Sequence, residues 1–123
     1  SKQAYLPFMR CMWSQVIVKG YIRIMSFAVR TITYQQHLML NICDTTLLGK
    51  TITKSDFSLN ISKSYFAERF VNKTEAEDLL KKYSIINMVG KETISLAVNL
   101  GIGSPKGIKE IDGVPFLLVF KFQ

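Results

Sequence analysis

The chain has 123 residues, of which 48% are hydrophobic and 20% are charged, and its formal net charge at pH 7 is +7. This length and composition predict one globular domain with a hydrophobic core and exclude a wholly disordered chain. No apolar stretch reaches the roughly 18–20 uncharged residues of a transmembrane helix, so we expect a cytoplasmic protein without a membrane partner.

The positive charge is concentrated in the first third of the chain. Residues 1–43 contain five Lys or Arg residues and no Asp or Glu, whereas residues 44–123 contain eleven basic and nine acidic residues. This asymmetry favours contact with a polyanion, although a solvated basic face without a partner gives the same pattern.

We divide the chain into a basic N-terminal extension, residues 1–24, and one α+β domain, residues 25–123. RNA is the polyanion that this mixture of basic and aromatic residues favours, because cations bind phosphates and aromatic rings stack on unpaired bases. The residues predicted to contact RNA phosphates are Lys2, Arg10, Lys19, Arg23 and Arg30. Those predicted to stack on bases are Tyr5, Trp13 and Tyr21, for which core packing is the competing interpretation.

The domain begins with a predicted β-hairpin. Apolar and polar residues alternate over residues 27–33 and 37–43, with a short connection at residues 34–36. A further alternating strand is expected at residues 57–62. Residues 64–71 are ambiguous between a strand and an irregular turn.

The stretch CDTTLLGKT, residues 43–51, resembles the end of a phosphate-binding loop. A phosphate-binding loop requires a second glycine five residues before Gly49, and that position is Asp44, whose carboxylate would repel phosphate. We therefore predict no nucleotide cofactor. We expect Asp44 to cap a local turn, Leu47 and Leu48 to enter the core, and Gly49 to redirect the chain.

Two helices are predicted in the second half of the domain. Thr74 and Glu77 form a capping-box pattern at the start of the first helix. The second helix covers about residues 91–100 and is expected to stop at Gly101.

A second hairpin is predicted at the C-terminus. Asp112-Gly113 separates the apolar segments 108–111 and 114–122, and this dipeptide is a strong signal for a two-residue turn. Pro115 has no backbone N–H, so we expect the last strand to begin at a sheet edge or bulge. The predicted fold is a small antiparallel sheet with two helices packed on it, preceded by the basic extension.

The side chains able to perform catalysis or bind metals are few. The chain has one histidine, His37, and two cysteines, Cys11 and Cys43. They form no zinc-binding pattern and no nucleophilic triad, so we predict no metal, no cofactor and no enzymatic activity. We expect both cysteines to be buried thiols and His37 to be structural.

From about residue 25 the sequence resembles an archaeal family of uncharacterised proteins, the domain of unknown function family four-two-four. The matching segments are CDTTLLGKTI, FVNKTEAEDLL, IINMVGKETISLAVNLG and IKEIDGVPFLLVF. The resemblance implies structural roles for the family-motif residues Asp44, Gly49, Lys50, Asn87, Gly90, Gly113 and Pro115. It also implies a place in the translation apparatus, most concretely as a ribosomal protein, with the small subunit favoured weakly.

Two features depart from the family pattern. Phe116 stands where family members usually carry a histidine, so the resemblance implies no general base at that position. Met25 stands where family members begin, so residues 1–24 are either an annotation artefact or an extension specific to this lineage.

We therefore expect an RNA-binding protein of the translation machinery whose partners are ribosomal RNA and neighbouring ribosomal proteins. One alternative is a small ligand-binding domain or enzyme, in which Asp44, Lys50 and Asn87, with Glu92 and Asp112, form a polar pocket. Another is a protein–protein adaptor that accepts a partner strand along its apolar C-terminal edge strand.

Overall fold

The computed structural model describes residues 26–121 as an α+β fold with a six-stranded sheet and a separate two-stranded hairpin. The strands are β1 (Phe27–Tyr34), β2 (His37–Asp44), β3 (Thr51–Lys54), β4 (Phe57–Asn60), β5 (Arg69–Val71), β6 (Ile85–Val89), β7 (Lys109–Ile111) and β8 (Val114–Phe120). The α-helices are α1 (Lys63–Phe66), α2 (Lys73–Lys82) and α3 (Lys91–Asn99). None of these helices is long and apolar enough to cross a membrane.

The main sheet is mixed, which corrects the prediction of a small antiparallel sheet. Its strand order is β5-β1-β2-β6-β8-β7, and the central pair β2–β6 is parallel. The four other pairs are antiparallel. A parallel pair needs a long crossover connection, and here that connection contains the β3–β4 hairpin, α1, β5 and α2.

Both faces of the sheet are covered, but unequally. Helices α2 and α3 pack on one face, which we call the helix face, over Leu40, Ile42, Ile86 and Met88. The opposite face, which we call the hairpin face, is covered at one end by the β3–β4 hairpin and α1 over Ala28, Cys43 and Val89. The two predicted helices therefore share one face, and the third helix, α1, lies on the other.

Helix α2 begins two residues earlier than the capping-box pattern with Thr74 as N-cap predicts. Its N-cap is Asn72, whose side-chain oxygen accepts a hydrogen bond from the Glu75 amide at 2.9 Å. Asn is as good an N-cap as Thr, and the Asn72–Glu75 spacing matches a capping box as well as Thr74–Glu77 does. At the other end, the ammonium of Lys121 donates to the Leu80 carbonyl at 2.6 Å and so caps the helix C-terminus.

The last strand does not start at a sheet edge, contrary to the expectation from Pro115. Strand β8 lies between β6 and β7, and Pro115 is buried and opposite Glu110 of β7. The Pro115 carbonyl accepts from the Gly90 amide, while the Gly90 carbonyl accepts from the Ile94 amide as the first bond of α3. Proline is tolerated here because the Gly90 carbonyl is already used by the helix. The edge strands are β5 and β7, and β7 pairs only with residues 114–116 of β8, so the adaptor alternative stays a prediction for residues 117–120.

Both predicted hairpins form with two-residue turns. In the first, Tyr34 pairs with His37, and Gln35 and Gln36 have φ values of 48° and 69°. In the second, Asp112 and Gly113 have φ values of 54° and 79°. Two positive φ values define the type I′ turn, which Asn-Gly and Asp-Gly favour and which Gln adopts only at a cost.

Replacing Gln35-Gln36 by Asn-Gly should stabilise the protein. We expect the free energy of unfolding in urea to rise by about 1–2 kcal/mol, because both residues then match the left-handed backbone of the turn. Gln36→Ala is the matched control, since it shortens the side chain but keeps the Cβ atom. An equal gain from Gln36→Ala would contradict the explanation.

Candidate nucleic-acid interface

The Asp44 carboxylate caps helix α3 from a different strand. One oxygen accepts hydrogen bonds from the Thr93 amide at 2.8 Å and the Thr93 hydroxyl at 2.7 Å, and the other accepts from the Glu92 amide at 3.1 Å. Asp44 is the last residue of β2, and only 7% of its surface is exposed. The predicted local turn cap is wrong, because the 3-10 turn after Asp44 receives no side-chain bond from it.

Gly90 makes this contact possible. The C-terminal ends of the parallel strands β2 and β6 lie side by side at the same end of the sheet, and Gly90 follows β6 directly. A Cβ atom at Gly90 would lie 2.3 Å from the Asp44 carboxyl carbon, and the φ value of Gly90 is +112°. Both the space and the backbone conformation therefore require glycine.

The polar residues of the predicted ligand site do not converge. Asp44 binds the α3 N-terminus on the helix face, whereas Asn87 pairs with Asn41 on the hairpin face. Asp112 accepts a hydrogen bond from the Thr53 amide at the β7–β8 turn. Lys50 is exposed beside the β3–β4 hairpin. The N-terminus of α3, which could otherwise attract an anion, is filled by the protein's own carboxylate.

Cys43 is a free, fully buried thiol next to Asp44 in the chain. Burial, and secondarily the negative charge of Asp44, raises the pKa of the Cys43 thiol from 9.0 to about 12. The thiol is therefore neutral near pH 7 and packs as a small hydrophobic side chain, as the sequence predicted.

A row of polar side chains crosses the hairpin face at Asn41, two residues before Cys43 on β2. Asn41 of β2 is fully buried and lies beside Asn87 of β6 in the parallel register. The Asn87 amide donates to the Asn41 side-chain oxygen at 3.3 Å, and Asn41 donates to the Tyr65 carbonyl of α1. In the same row, Arg30 of β1 donates to the Ser64 carbonyl. These bonds anchor α1 to the sheet.

The other end of the hairpin face is not covered by the hairpin or by α1. Here the rings of Tyr34 and Phe120 meet edge to face with centroids 6.5 Å apart. Tyr34 lies on β1 and Phe120 on β8, so the two side chains extend across the intervening strands β2 and β6. Met39 of β2 and Ile85 of β6 are buried on this face. Tyr34, Leu118 and Phe120 are 41%, 53% and 48% exposed, and we call these three residues the aromatic patch.

The described strand positions around the aromatic patch carry no acidic side chain. Within the described strands β1, β2, β6 and β8, no residue on the hairpin face is Asp or Glu. Lys81 and Lys82 are exposed at the end of α2, which packs on the opposite, helix face, and the Lys82 ammonium lies 5.6 Å from the centroid of the Tyr83 ring. Among residues 26–121 the ion pair is Arg69–Glu75, and Glu77 and Asp78 lie one helical turn before Lys81 and Lys82.

Most of the predicted RNA-contacting residues lie outside the described part of the chain. These are Lys2, Arg10, Lys19 and Arg23, together with the predicted stacking residues Tyr5, Trp13 and Tyr21. Arg30 lies on the hairpin face and is half-buried against α1. The acid-free first third of the sequence thus continues into β1 and β2, the two strands that form one side of this face.

The sequence pattern does not predict the aromatic patch. Alternation in the last strand places Phe116, Leu118 and Phe120 on one face, but the strand is apolar on both faces and is typical of a buried strand. The sequence pattern places Tyr34 in a turn. The available signal is the position of Tyr34 at the end of the acid-free hairpin, although it does not reveal which end of the face is uncovered.

The family-motif residues other than Asp44 and Asn87 have backbone roles. Gly49 has a φ value of +90°, and its amide donates to the Ile61 carbonyl, so it redirects the chain into β3. Gly113 completes the β7–β8 turn. Leu47 and Leu48 are partly buried against the core on the hairpin face.

Comparisons with known proteins agree with this fold. The family model described as "Protein of unknown function (DUF424)" matches residues 32–122. A crystal structure of an uncharacterized conserved protein from Methanopyrus kandleri matches with a TM-score of 0.63 and 19% sequence identity, covering 79% of this chain and 94% of that one. At this identity the likeness concerns the fold alone. No curated protein matches the chain.

Removing the Asp44 carboxylate should destabilise the protein through α3. We expect Asp44→Ala to lower the free energy of unfolding by about 2–3 kcal/mol, because two amides and a hydroxyl lose a charged acceptor. Gly90→Ala should also cost about 2 kcal/mol or more through its positive φ and the contact with Asp44.

The double variant distinguishes the contact from the backbone effect. Without the carboxylate, the methyl group that Gly90→Ala introduces has room. The double variant should therefore lose about 1 kcal/mol less free energy of unfolding than the sum of the two single losses. Asp78→Ala, which removes an exposed carboxylate from α2, should change stability by no more than about 0.5 kcal/mol. Strict additivity of Asp44→Ala and Gly90→Ala would contradict the proposed contact.

Cys43 should resist alkylation in the folded protein. With a folded pKa of about 12 against 9.0, the thiolate population at pH 8 is about a thousandfold lower than in the unfolded chain. In a Cys11→Ser background, iodoacetamide should label Cys43 only after unfolding in guanidinium chloride. Rapid labelling under native conditions would refute the burial of this thiol.

The raised pKa of Cys43 also predicts a pH dependence of stability. Because the folded pKa is above the unfolded one, the stabilisation is complete below about pH 9 and is lost as pH rises toward 12. We expect the free energy of unfolding of the wild type to fall more steeply across this window than that of Cys43→Ala. Parallel curves for the two proteins would contradict the raised pKa.

Proposed function

This chain belongs to the DUF424 family, whose function is unknown, and we propose that it is a non-enzymatic RNA-binding protein of the archaeal translation machinery. In this proposal it acts in the cytoplasm as a ribosomal protein, on ribosomal RNA and beside other ribosomal proteins. The small subunit is the favoured location.

The observation that carries the proposal is the separation of charge along the chain. All nine acidic residues fall after residue 43, whereas five of the sixteen basic residues precede it. RNA is a polyanion whose binding is driven largely by the release of counterions from its phosphates. An acid-free segment binds such a partner without the repulsion that interspersed carboxylates would add.

The hairpin face of the sheet supports the same proposal from the described residues. Strand β1 and residues 37–43 of β2 belong to the acid-free segment, and the hairpin face they share with β6 and β8 carries no carboxylate at its strand positions. The acidic side chain of Glu68 is hydrogen-bonded to β1, where it accepts from the Thr31 amide. Strand β1 is separated from β8 by β2 and β6.

The proposal contains no catalytic step. Asp44 is fully engaged with the α3 N-terminus, and Asn87 lies on the opposite face of the sheet. The separation of Asp44 and Asn87 on opposite faces of the sheet supports the proposal over the ligand-site alternative, which needs both at one pocket.

Neutralising the N-terminal basic residues should weaken RNA binding and its salt dependence. We expect a variant with Lys2, Arg10, Lys19 and Arg23 replaced by Gln to bind purified ribosomal RNA more weakly in filter-binding assays. The slope of log K against log salt should fall by about 0.7–0.9 for each phosphate that the variant no longer neutralises.

The matched control changes the same amount of charge elsewhere. Replacing the exposed lysines Lys50, Lys54, Lys91 and Lys106 by Gln also removes four positive charges. This variant should retain most of the wild-type affinity and slope. Equal losses in both variants would show that net charge alone drives binding.

A sedimentation experiment tests the link to translation. At low salt the protein should co-sediment with ribosomal particles of a cell lysate, and high salt should release it to the top of the gradient. Finding it at the top of the gradient at low salt would refute the ribosomal assignment.

A further inference from the structure

We propose that the β3–β4 hairpin is a lid that opens away from the six-stranded sheet as one unit, with the Asp112 carboxylate as its latch. Opening exposes the apolar surface of the sheet near Ala28, Cys43 and Val89, which are fully buried in the closed structure. The inference concerns residues 49–61 and Asp112, and it does not depend on the proposed RNA-binding function.

The two ends of the hairpin lie side by side at one stem. The Gly49 amide donates to the Ile61 carbonyl at 2.7 Å, and the Ile61 amide donates to the Lys50 carbonyl at 2.8 Å. Gly49 has a φ value of +90°, and the space where a Cβ atom would lie is open. Because the entering and leaving chains are bonded to each other, rotation at the stem moves the hairpin without separating β3 from β4. Residues at the ends of structural elements are the usual hinges of such movements.

Few hydrogen bonds hold the hairpin to the rest of the protein. Among the described residues, β3 and β4 pair with each other and with no strand of the six-stranded sheet. Within residues 51–60, the described hydrogen bond to another element is the one from the Thr53 amide to the Asp112 carboxylate, at 3.3 Å. Helix α1 differs, because Asn41 and Arg30 of the sheet both donate to its backbone carbonyls. The sheet therefore anchors α1 more firmly than it anchors the hairpin.

The apolar contact beneath the hairpin is also small. Ile52 of β3 stands opposite Leu59 of β4, and both side chains pack in the core on the hairpin face. The other described side chains of the two strands are exposed, namely Thr51, Thr53, Lys54, Ser58 and Asn60. Segments that bury few apolar side chains open at a lower free energy than the core does, and two-stranded hairpins are marginally stable by themselves.

Asp112 acts as the latch because it binds an amide that the β3–β4 ladder does not use. Lys50 and Ile61 are hydrogen-bonded, and bonded pairs alternate along an antiparallel ladder, so the Thr53 amide points outward from β3. The Asp112 carboxylate accepts this amide from the β7–β8 turn. Since β7 and β8 belong to the six-stranded sheet, the bond ties the hairpin to that sheet.

A thiol on the underside of the hairpin tests the opening. In a Cys11→Ser, Cys43→Ala background, Ile52→Cys places the thiol on the hairpin, and Ile94→Cys places a control thiol in α3 on the helix face. The substitution is the same, and the two positions are equally buried, at 3% and 4% exposure. The rate of modification by methyl methanethiosulfonate is measured at urea concentrations below the unfolding transition.

We expect the thiol of Ile52→Cys to react with a shallow dependence on urea, because opening the hairpin exposes far less surface than unfolding does. The thiol of Ile94→Cys should follow the full urea slope of global unfolding. Equal slopes at the two positions would overturn the proposal, since both thiols would then become accessible only through unfolding.

Asp112→Gly tests the latch. Glycine fits the φ value of 54° at this turn position, and the substitution removes the carboxylate. In the Ile52→Cys protein we expect it to accelerate modification by about 5-fold or more in the shallow range. Asp112→Asn keeps an oxygen acceptor and should give an intermediate rate. Rates that do not depend on residue 112 would overturn the latch.

The matched control is Asn72→Ala, which removes the N-cap of α2 and lowers global stability without changing the hairpin. It should accelerate modification of Ile94→Cys and leave the shallow range of Ile52→Cys unchanged. An equal acceleration at both positions would contradict the separate opening of the hairpin.

Amide exchange of the wild-type chain, followed by NMR, is the second measurement and requires no substitution. The Thr53 and Thr93 amides both donate to a carboxylate, that of Asp112 and that of Asp44. We expect the Thr53 amide to exchange with a shallow urea dependence and the Thr93 amide with the slope of global unfolding. The same slope for both amides would contradict the lid.

Discussion

The contact between Asp44 and the first turn of α3 determines how the two halves of the fold meet. A buried carboxylate is costly unless its oxygens are fully hydrogen-bonded, and here three donors of one helix end supply the bonds. The contact requires β2 and β6 to run in parallel, since only then do Asp44 and Gly90 lie at the same sheet edge. It also requires glycine at position 90, where any Cβ atom would meet the carboxyl group.

This arrangement decides which surfaces remain available. Helix α3 is held at the end of the sheet where β2 and β6 terminate, and α2 and α3 cover the helix face. The β3–β4 hairpin and α1 cover the hairpin face at that same end of the sheet. The opposite end of the hairpin face carries Tyr34, Leu118 and Phe120 over a buried floor. The Asp44 carboxylate is fully engaged within the fold by the first turn of α3, which explains why the most recognisable motif of the chain is structural.

Local signals predicted the elements whose geometry depends on neighbouring residues. The β1–β2 and β7–β8 hairpins, the helix ending before Gly101 and the turn at Asp112-Gly113 all formed as expected. The start of α2 was displaced because two overlapping capping patterns exist and Asn72 rather than Thr74 accepts the helix amide. Among the residues predicted to contact RNA, Arg30 is the one that lies within the described residues. The aromatic patch was not predicted from the sequence.

The sequence by itself determined the hairpins, the two longer helices, the family and the acid-free first third, because each depends on residue types at short spacing. Only the tertiary structure decided the parallel β2–β6 pair, the partner of Asp44, and which end of the hairpin face the β3–β4 hairpin and α1 cover. Those features join residues more than forty positions apart, such as Asp44 with Thr93 and Asn41 with Asn87. Their geometry follows from the crossover connection and from how much of each face the helices and the hairpin cover, neither of which local patterns encode.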